Sequence, residues 1–282
     1  MAYSYSPYDW QQTLHQKAEY VEDRLKRGSP VVALSCVLGI LLLTIRGSQR
    51  KIFEIYDRLV FTGLGNPADL EVVRHQTVDF THLEGYQRSP EDVSIQRVVG
   101  FSVSPVLKRF FSDPLRMPLV LRGLFTQVGD LPEEDLFLTV NYDGEFNTRT
   151  HHAVVAGTGA AEVQMDRLLK GLRTGVDRPL SLEAAIEAAL EVWTVGWWHA
   201  RHGEEGVGSD EDNGEPEGEG ANGLPTEEER HEFLVDALAD GVVEAVLLER
   251  EPQRERRYRS LEDEEVRRFL PPSQGPAEGG GG

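Results

Sequence analysis

The feature that most constrains the fold is an apolar run from Val31 to Ile45, VVALSCVLGILLLTI. It is shorter than the ~18 apolar residues that a membrane-spanning helix needs. It also follows a charged amphipathic segment, and no small-residue cleavage site comes after it, so it differs from a secretion signal. Its β-branched residues and the interruptions at Ser35 and Gly39 favour two successive buried strands. We therefore expect the run to form the centre of a sheet, with no membrane association.

The residues before this run predict an amphipathic helix. Four apolar residues spaced by four, three and four positions share one helical face, and the helix is expected to end at Gly28. The stripe consists of Leu14, Ala18, Val21 and Leu25.

The remaining pattern is a sheet, a helix pair, a second set of strands and a second helix pair. Strands continue to about Val60, and a helix capped by Asn66 with Pro67 in its first turn runs toward Gly85. A second helix follows Pro90, and Pro105 and Pro114 should shorten, kink or interrupt it. Further strands are predicted at Met117 to Val128, Asp135 to Asn141 and Thr150 to Ala156, with a turn at Tyr142-Asp143-Gly144.

The second helix pair begins at Gly157. Ala161, Met165, Leu168 and Leu172 share a face of its first helix, and Leu182, Ile186, Ala189, Trp193 and Trp197 share a face of its second, behind a Ser181 cap. Val242 to Leu248 is predicted to be a last strand. Ser260 is expected to cap a closing helix that docks through Val266, Phe269 and Leu270.

Charge excludes one class of function. The formal net charge is −19, and the acidic residues concentrate between Gly203 and Glu232. Such a surface repels phosphate backbones, and no Lys/Arg stripe alternates with aromatic residues, so nucleic-acid binding is not expected. Residues 203–232 and the Pro/Gly tail 271–282 contain too few apolar residues to offset chain entropy and are predicted to be disordered. The single cysteine, Cys36, excludes a disulfide framework and is compatible with a reducing compartment.

Motifs for cofactors and metals are weak. Two G-x-G turns follow strands, at Gly63-Leu64-Gly65 and Gly157-Thr158-Gly159, but neither follows the first strand of a parallel βαβ unit, so tight strand-to-helix corners are favoured over dinucleotide binding. His151 and His152 are neighbours on a predicted strand and should point to opposite faces. His199 and His202 could share a helix face, but histidines so placed are more often surface residues than ligands. We predict no cofactor and no metal.

The segment from Lys26 to Ser29, KRGS, and the segment KIFEIYDR that begins at Lys51 carry a resemblance to a known family. The chain from about Ala18 to Gly175 resembles the α-type subunits of bacterial 20S proteasomes, and the final strand and the segment EEVRRFL resemble them more loosely. The resemblance implies an α+β, four-layer αββα sandwich with two stacked antiparallel sheets and helix pairs on both outer faces. A single subunit would expose the stripe of Leu14, Ala18, Val21 and Leu25, so we expect a subunit contact to bury it.

In the catalytic β-type relatives the nucleophile is an amino-terminal threonine that a lysine and an acid assist. Lys51 occupies the matching lysine position, but Thr44-Ile45-Arg46 replaces the expected acid. The only hydroxyl at the head of the first strand is Ser29, and its use would require cleavage after Gly28. The resemblance therefore implies a non-catalytic subunit, with a self-processed amino-terminal-nucleophile hydrolase using Ser29 as an alternative.

The α-type subunits form heptameric rings that cap β-type subunits, gate substrate access and dock a ring-shaped ATPase activator. Transferred by resemblance, Lys51 and Gly28 belong to the activator pocket, and Tyr3, Tyr5, Tyr8 and Asp9 belong to the gate. Trp10 stands where an arginine would be expected, so the salt-bridged form of that gate is not implied.

The implied domains are a gate segment at 1–13, an α-type domain at 14–270 with the acidic insertion at 203–232, and the tail at 271–282. The implied partners are ring neighbours, β-type subunits, the activator, and unfolded or tagged protein substrates in the cytoplasm. A stand-alone proteasome-like scaffold ring is a second alternative.

Overall fold

The computed structural model describes residues 7–173, 179–202, 224–252 and 256–271. In these residues the helices are α1 Pro7–Leu25, α2 Pro67–Gln87, α3 Ile95–Arg97, α4 Ser104–Ser112, α5 Gly159–Arg173, α6 Leu182–His202, α7 Glu227–Asp240 and α8 Asp263–Arg267. The strands are β1 Val31–Cys36, β2 Gly39–Arg46, β3 Ile52–Tyr56, β4 Leu59–Gly65, β5 Leu121–Gln127, β6 Leu136–Val140, β7 Phe146–Thr150, β8 His152–Val155, β9 Val242–Glu249 and β10 Tyr258–Ser260.

The strands form two stacked antiparallel sheets. The first, sheet A, has the order β10-β9-β2-β1-β8, and the second, sheet B, has the order β3-β4-β5-β6-β7. Helices α5 and α6 cover the outer face of sheet A, and α2 with the α3–α4 region covers the outer face of sheet B. This arrangement confirms the predicted αββα sandwich.

The predicted central strands are β1 and β2, and alternate residues of each enter different cores. In β2, Leu41 and Leu43 pack under α5 and α6, whereas Ile40 and Leu42 pack against sheet B. All six residues of β1 are buried. The period of two explains why the run is apolar throughout, because both faces of these strands are covered.

The predicted helix pairs are also present. The Asn66 side chain accepts a hydrogen bond from the amide of Ala68 (2.9 Å) and caps α2. The helix after Pro90 is interrupted as expected, because residues 98–103 form a π-helical segment between α3 and α4. Ser181 Oγ caps α6 by accepting from the amide of Ala184 (3.2 Å).

Helix α1 differs from its prediction in extent and in packing. It begins at Pro7, so residues 7–13 of the predicted gate segment are helical. Val21 and Leu25 are fully buried in the core between the two sheets of the same chain. The prediction that the stripe is exposed until a second subunit covers it was therefore wrong for these two residues. The isolated pattern could not reveal that the sandwich has an open end that a helix fills.

Polar contacts also attach α1 to the sandwich. Lys17 Nζ donates to the carbonyl oxygens of Phe111 (3.1 Å) and Asp113 (2.5 Å) at the end of α4. Tyr142 Oη donates to Glu22 (2.9 Å). Burial of the Tyr142 side chain and its contact with the Glu22 carboxylate raise the pKa of Tyr142. The helix is thus held along its C-terminal half by apolar and polar contacts.

The strand predicted at Thr150 to Ala156 corresponds to β8, and its first residue, Thr150, is the end of a strand in the other sheet that was not predicted. Strand β7 ends at Thr150 in sheet B, and β8 begins at His152 in sheet A. The single residue between them, His151, has φ of 73°, in the left-handed region. The turn at residues 142–144 is confirmed, since the amide of Gly144 donates to the carbonyl of Asn141 (2.9 Å).

Two predictions near the C-terminus need correction, and a third falls mostly outside the described residues. Most of the predicted acidic insertion lies outside the described residues, but residues 227–232 begin helix α7, behind a capping box formed by Thr226 and Glu229. Ser260 is the last residue of β10, and Glu262 is the N-cap of α8. Of the predicted tail, residues 272–282 lie outside the described residues.

A buried ion pair joins the two sheets at the end where β1 turns into β2. Arg250, just after β9, donates to both carboxylate oxygens of Asp135 (2.8 Å each). Asp135 is fully buried and also accepts from Ser35 Oγ (2.6 Å) on β1. The carboxylate therefore contacts groups from both sheets.

Breaking this pair should destabilise the fold strongly. Asp135→Asn leaves the Arg250 charge buried and uncompensated, and we expect the free energy of unfolding to fall by about 3–5 kcal/mol in urea titrations. Asp130→Asn is the matched control, because its ion pair with Arg58 (2.7 Å) is exposed and should change stability little. Equal effects of the two substitutions would contradict the structural role of the buried pair.

Candidate functional site

An open pocket lies beside the loop of residues 47–51, which joins β2 to β3. Lys51 and Arg50 line it from this loop, and the first turns of α2 line the opposite side with Leu70 and Glu71. Phe53 adds an aromatic wall. The pocket therefore combines cations with an apolar surface.

Local hydrogen bonds shape one wall, and a close backbone contact shapes the other. Arg46 at the end of β2 donates to the carbonyl oxygens of Gly47 (2.9 Å) and Ser48 (3.3 Å) and so closes the loop. Gly65, which leads into α2, has φ of 140°, and a Cβ there would lie 2.1 Å from the carbonyl oxygen of Val120. Glycine is required at this corner for close approach of the neighbouring strand, which agrees with the predicted tight strand-to-helix corner.

The side chain of Lys51 reaches from the pocket wall toward the start of β1. Its Nζ donates to the carbonyl oxygen of Ser29 (2.7 Å) and lies 3.4 Å from Thr44 Oγ1. Burial lowers the pKa of Lys51 to about 8, and the negative charge of Glu244 opposes this shift. The lysine predicted from the sequence is thus a partly desolvated cation at an open pocket.

Glu244 was not identified from the sequence as a site residue. It lies on β9 and is 7% exposed. Its carboxylate accepts from the backbone amides of Lys51 (2.8 Å) and Ile52 (3.3 Å) and lies 3.4 Å from Arg46 Nε. No local sequence signal marks it, because Lys51 and Glu244 are 193 residues apart.

Gly28, the second predicted pocket residue, follows the end of α1, where its amide donates to the carbonyl of Leu25 (2.8 Å). A Cβ at Gly28 would lie 2.5 Å from the side chain of Leu64. The carbonyl oxygen of the next residue, Ser29, accepts a hydrogen bond from Lys51 Nζ, so Gly28 and Lys51 lie close together. Gly28 is not among the residues that line the pocket.

The predicted gate residues divide between described and undescribed parts of the chain. Tyr8 and Asp9 lie in the first turn of α1. Tyr3 and Tyr5 lie outside the described residues.

Ser29 is partly buried, and its hydroxyl is hydrogen-bonded. Its Oγ donates to the carbonyl of Ile45 (2.5 Å) and accepts from Trp193 Nε1 (3.2 Å). Trp193 also donates to the carbonyl of Pro30 (3.0 Å) and is fully buried. The sequence placed Trp193 on the apolar face of its helix but did not suggest this polar contact.

The histidine pairs are separated or engaged elsewhere. His152 lies at the start of β8, with Nε2 3.0 Å from Asp166, while His151 lies in the link before it. The prediction that the two are neighbours on one strand was therefore wrong. His202 stacks on Trp198 with ring centroids 5.0 Å apart.

Across the described ranges, no three His, Cys, Asp or Glu side chains are grouped as metal ligands. No helix in those ranges has the length and apolar character needed to cross a membrane.

Comparison with known proteins finds relatives that all carry the same name. No family model matches the chain. A protein of Xylanimonas cellulosilytica named proteasome subunit alpha is 32% identical over 191 residues, which cover 66% of this chain and 75% of the relative. The chain belongs to the bacterial proteasome α-subunit family. Proteins of the same name from Streptosporangium roseum (30% over 183 residues, 64% of this chain and 69% of the relative) and Actinosynnema mirum (28% over 188 residues, 66% and 68%) are also similar.

The lowered pKa of Lys51 gives this α-type subunit a defined pH dependence of stability. Its ordinary value is 10.5, and in the fold it is about 8. Between these values the unfolded chain holds a proton that the folded chain has released, so the contribution of Lys51 to the free energy of unfolding rises with pH. From pH 7.5 to 10.5 the parent should gain on the order of 3 kcal/mol relative to Lys51→Met, in urea titrations of both proteins. A constant difference between the two proteins across this range would contradict the assignment.

Proposed function

We propose that this chain is the non-catalytic α-type subunit of a bacterial 20S-like proteasome. In this proposal it forms the outer ring, gates the access of protein substrates, and docks the carboxy-terminal carboxylates of a ring-shaped ATPase activator. The observation that carries the docking function is that Lys51, whose ammonium is partly desolvated, lines an open pocket. Membership of the α-subunit family supports the ring and its β-type partners.

The contacts of Lys51 suit a carboxylate receptor. Two acceptors, the Ser29 carbonyl and Thr44 Oγ1, account for two of its three N–H groups, and the third can be donated to a ligand. A partly desolvated ammonium gains strongly from an added carboxylate, because the ligand replaces the solvation that burial removed. Phe53 and Leu70 provide an apolar surface for the residues that precede the terminal carboxylate.

The ring and its substrates form the rest of the proposal. Homo-heptameric rings of this chain would stack on β-type subunits that carry the catalytic threonine, and the activator would deliver unfolded or tagged proteins. The proposed domains are the gate segment at the amino terminus, the α-type domain to residue 270, and the acidic insertion and the tail as solvating segments. The proposed compartment is the cytoplasm.

The attachment of α1 bears on the proposed gate. Lys17, Val21, Glu22 and Leu25 fix this helix to the sandwich. Residues 1–6 precede it and include Tyr3 and Tyr5. A gate made by the amino terminus would therefore act through residues before α1, with the helix as its fixed support.

The alternative function is a hydrolase that uses Ser29 after cleavage behind Gly28. The contact between Lys51 Nζ and the Ser29 carbonyl (2.7 Å) favours it, since a lysine assists the nucleophile in catalytic relatives. Two observations oppose it. The Ser29 hydroxyl is engaged with Ile45, and cleavage would separate α1, with its buried Val21 and Leu25, from the fold.

Ser29→Ala distinguishes the two functions. We expect peptidase activity of a reconstituted particle with a β-type subunit to be unchanged, because the α chain contributes no nucleophile. Intact mass spectrometry should find the α chain unprocessed. Loss of activity together with a mass that indicates cleavage after Gly28 would establish the hydrolase instead.

Deleting residues 2–6 tests the gate while leaving α1 intact. Hydrolysis of a short fluorogenic peptide by the co-purified α–β particle should rise severalfold without any activator, because the deletion removes a barrier to access and not to chemistry. Deletion of residues 272–282 is the control and should leave the rate unchanged. Equal rates with and without residues 2–6 would contradict the gate, and failure of any β-type subunit to co-purify would favour the stand-alone ring.

Lys51→Glu tests docking. Like charges would meet in the pocket, and even loss of the ammonium should cost about 1.5–3 kcal/mol for one charge-assisted hydrogen bond. Degradation that depends on the ATPase should collapse, while activator-independent peptide hydrolysis by the same particle persists. Lys170→Glu is the control, because it makes the same charge change at a residue on α5. A particle with this substitution should degrade substrates with the ATPase at the normal rate. Undiminished ATPase binding by the Lys51→Glu particle would remove Lys51 from the proposal.

A further inference from the structure

Glu244 is a buried carboxylate whose hydrogen bonds go mainly to backbone. It faces Thr44 across the β2–β9 ladder in sheet A. Its two oxygens accept from the amides of Lys51 (2.8 Å) and Ile52 (3.3 Å), where the chain enters β3 of sheet B. One acidic side chain thus connects sheet A to the residue that supplies the pocket ammonium.

The ion pair of Glu244 with Arg46 differs from the pair at the other end of the sandwich. There, Arg250 donates two aligned hydrogen bonds to Asp135. Here, Arg46 Nε lies 3.4 Å from the carboxylate, is buried and has no hydrogen-bond partner, while NH1 is bonded to loop carbonyls. Arg46 therefore contributes charge without a bidentate bond, and the carboxylate remains bonded to the two amides.

Other charged groups near Lys51 are engaged or neutral. Glu71, which faces the pocket from α2, pairs with Arg74 (2.7 Å). Tyr258 on β10 donates to the carbonyl of Ile52 (3.0 Å), and burial raises its pKa to about 12, so it is neutral at ordinary pH. Arg50 and Arg46 are positively charged, so they cannot stabilise the protonated form of Lys51. Glu244 is the group whose charge opposes the loss of the Lys51 proton.

We infer that Glu244 is the positioning residue of the pocket: it fixes the backbone that carries Lys51, and its negative charge keeps the Lys51 ammonium protonated. This inference rests on the proposed docking function, which it deepens by assigning the charge state of the pocket to a residue on a different sheet. Docking should consequently weaken as pH rises through about 8, where half of the Lys51 side chains have lost the ammonium proton.

The first test measures Lys51 without any ligand. The protein is labelled with lysine carrying ¹³C at Cε, and the Lys51 resonance is identified by its absence in Lys51→Arg, since the chain has only four other lysines. In Glu244→Gln the midpoint of the Lys51 titration should fall by about one unit, because the stabilising negative charge is gone. Glu249→Gln is the matched control on the same strand: Glu249 also pairs with an arginine, Arg259 (2.8 Å), and the Lys51 midpoint should not move in this variant.

The second test measures docking with a defined probe. A fluorescein-labelled heptapeptide, Gly-Ser-Gly-Ser-Gly-Ala-Leu with a free carboxylate, is compared with its C-terminal amide by fluorescence anisotropy on the assembled protein. At pH 8 the Kd for the free acid should rise at least about fivefold in Glu244→Gln, because the protonated fraction of Lys51 falls by that factor, and the pH at which binding is lost should shift downward. Glu244→Asp keeps the charge and should restore the titration midpoint while leaving affinity below that of the parent.

The outcomes separate this inference from the docking proposal. An unchanged Lys51 midpoint in Glu244→Gln would overturn the inference, and so would an equal shift in Glu249→Gln. If Glu244→Gln does not fold, Glu244→Asp decides. Because Asp keeps the negative charge, a Lys51 midpoint that differs from that of the parent by about one unit or more would overturn the inference. If the midpoint falls as expected but the free acid binds no better than the amide in the parent, the role of Glu244 stands and carboxylate docking fails.

Discussion

The structure depends on two strands that are buried on both faces. Sheet B covers one face of β1 and β2, and α5 and α6 cover the other, so neither strand has a solvent side. A strand of this kind can exist only if layers assemble above and below it. The four-layer order follows from this requirement, and each layer is placed by how it completes the burial of β1 and β2.

Much of the fold could be predicted because burial leaves a periodic record in the sequence. The apolar run gave β1 and β2, the Asn66-Pro67 pair gave the start of α2, and regular spacing gave α5 and α6. Strand β7 was missed because all five of its residues are exposed and so carry no alternation. Helix α7 was not predicted, and its first turn was included in the disordered insertion because it is acidic, although that turn forms a capping box. Exposed elements leave weak patterns, and their positions depend on tertiary contacts.

The candidate site shows the same limit. Lys51 could be singled out because a lysine at the mouth of a buried strand is unusual and matches a family motif. Its environment could not be predicted, since the acceptor carbonyl comes from Ser29, the buried carboxylate from Glu244 and the indole from Trp193. These residues meet only after both sheets and α6 have packed. The stripe of α1 was misassigned for the related reason that a pattern indicates burial but not the partner, which here is the chain's own interior.

The crossing from β7 to β8 consists of the single residue His151, and the next residue, His152, pairs directly with Leu34 on β1. A one-residue insertion or deletion there would shift β8 by one position and exchange its two faces, moving Ala153 and Val155 out of the core between the sheets. The link between α6 (Leu182–His202) and α7 (Glu227–Asp240) joins two helices outside the sheets, so a change in its length would not shift the register of any strand. Across related chains, length variation should therefore concentrate at the second connection and be nearly absent at the first.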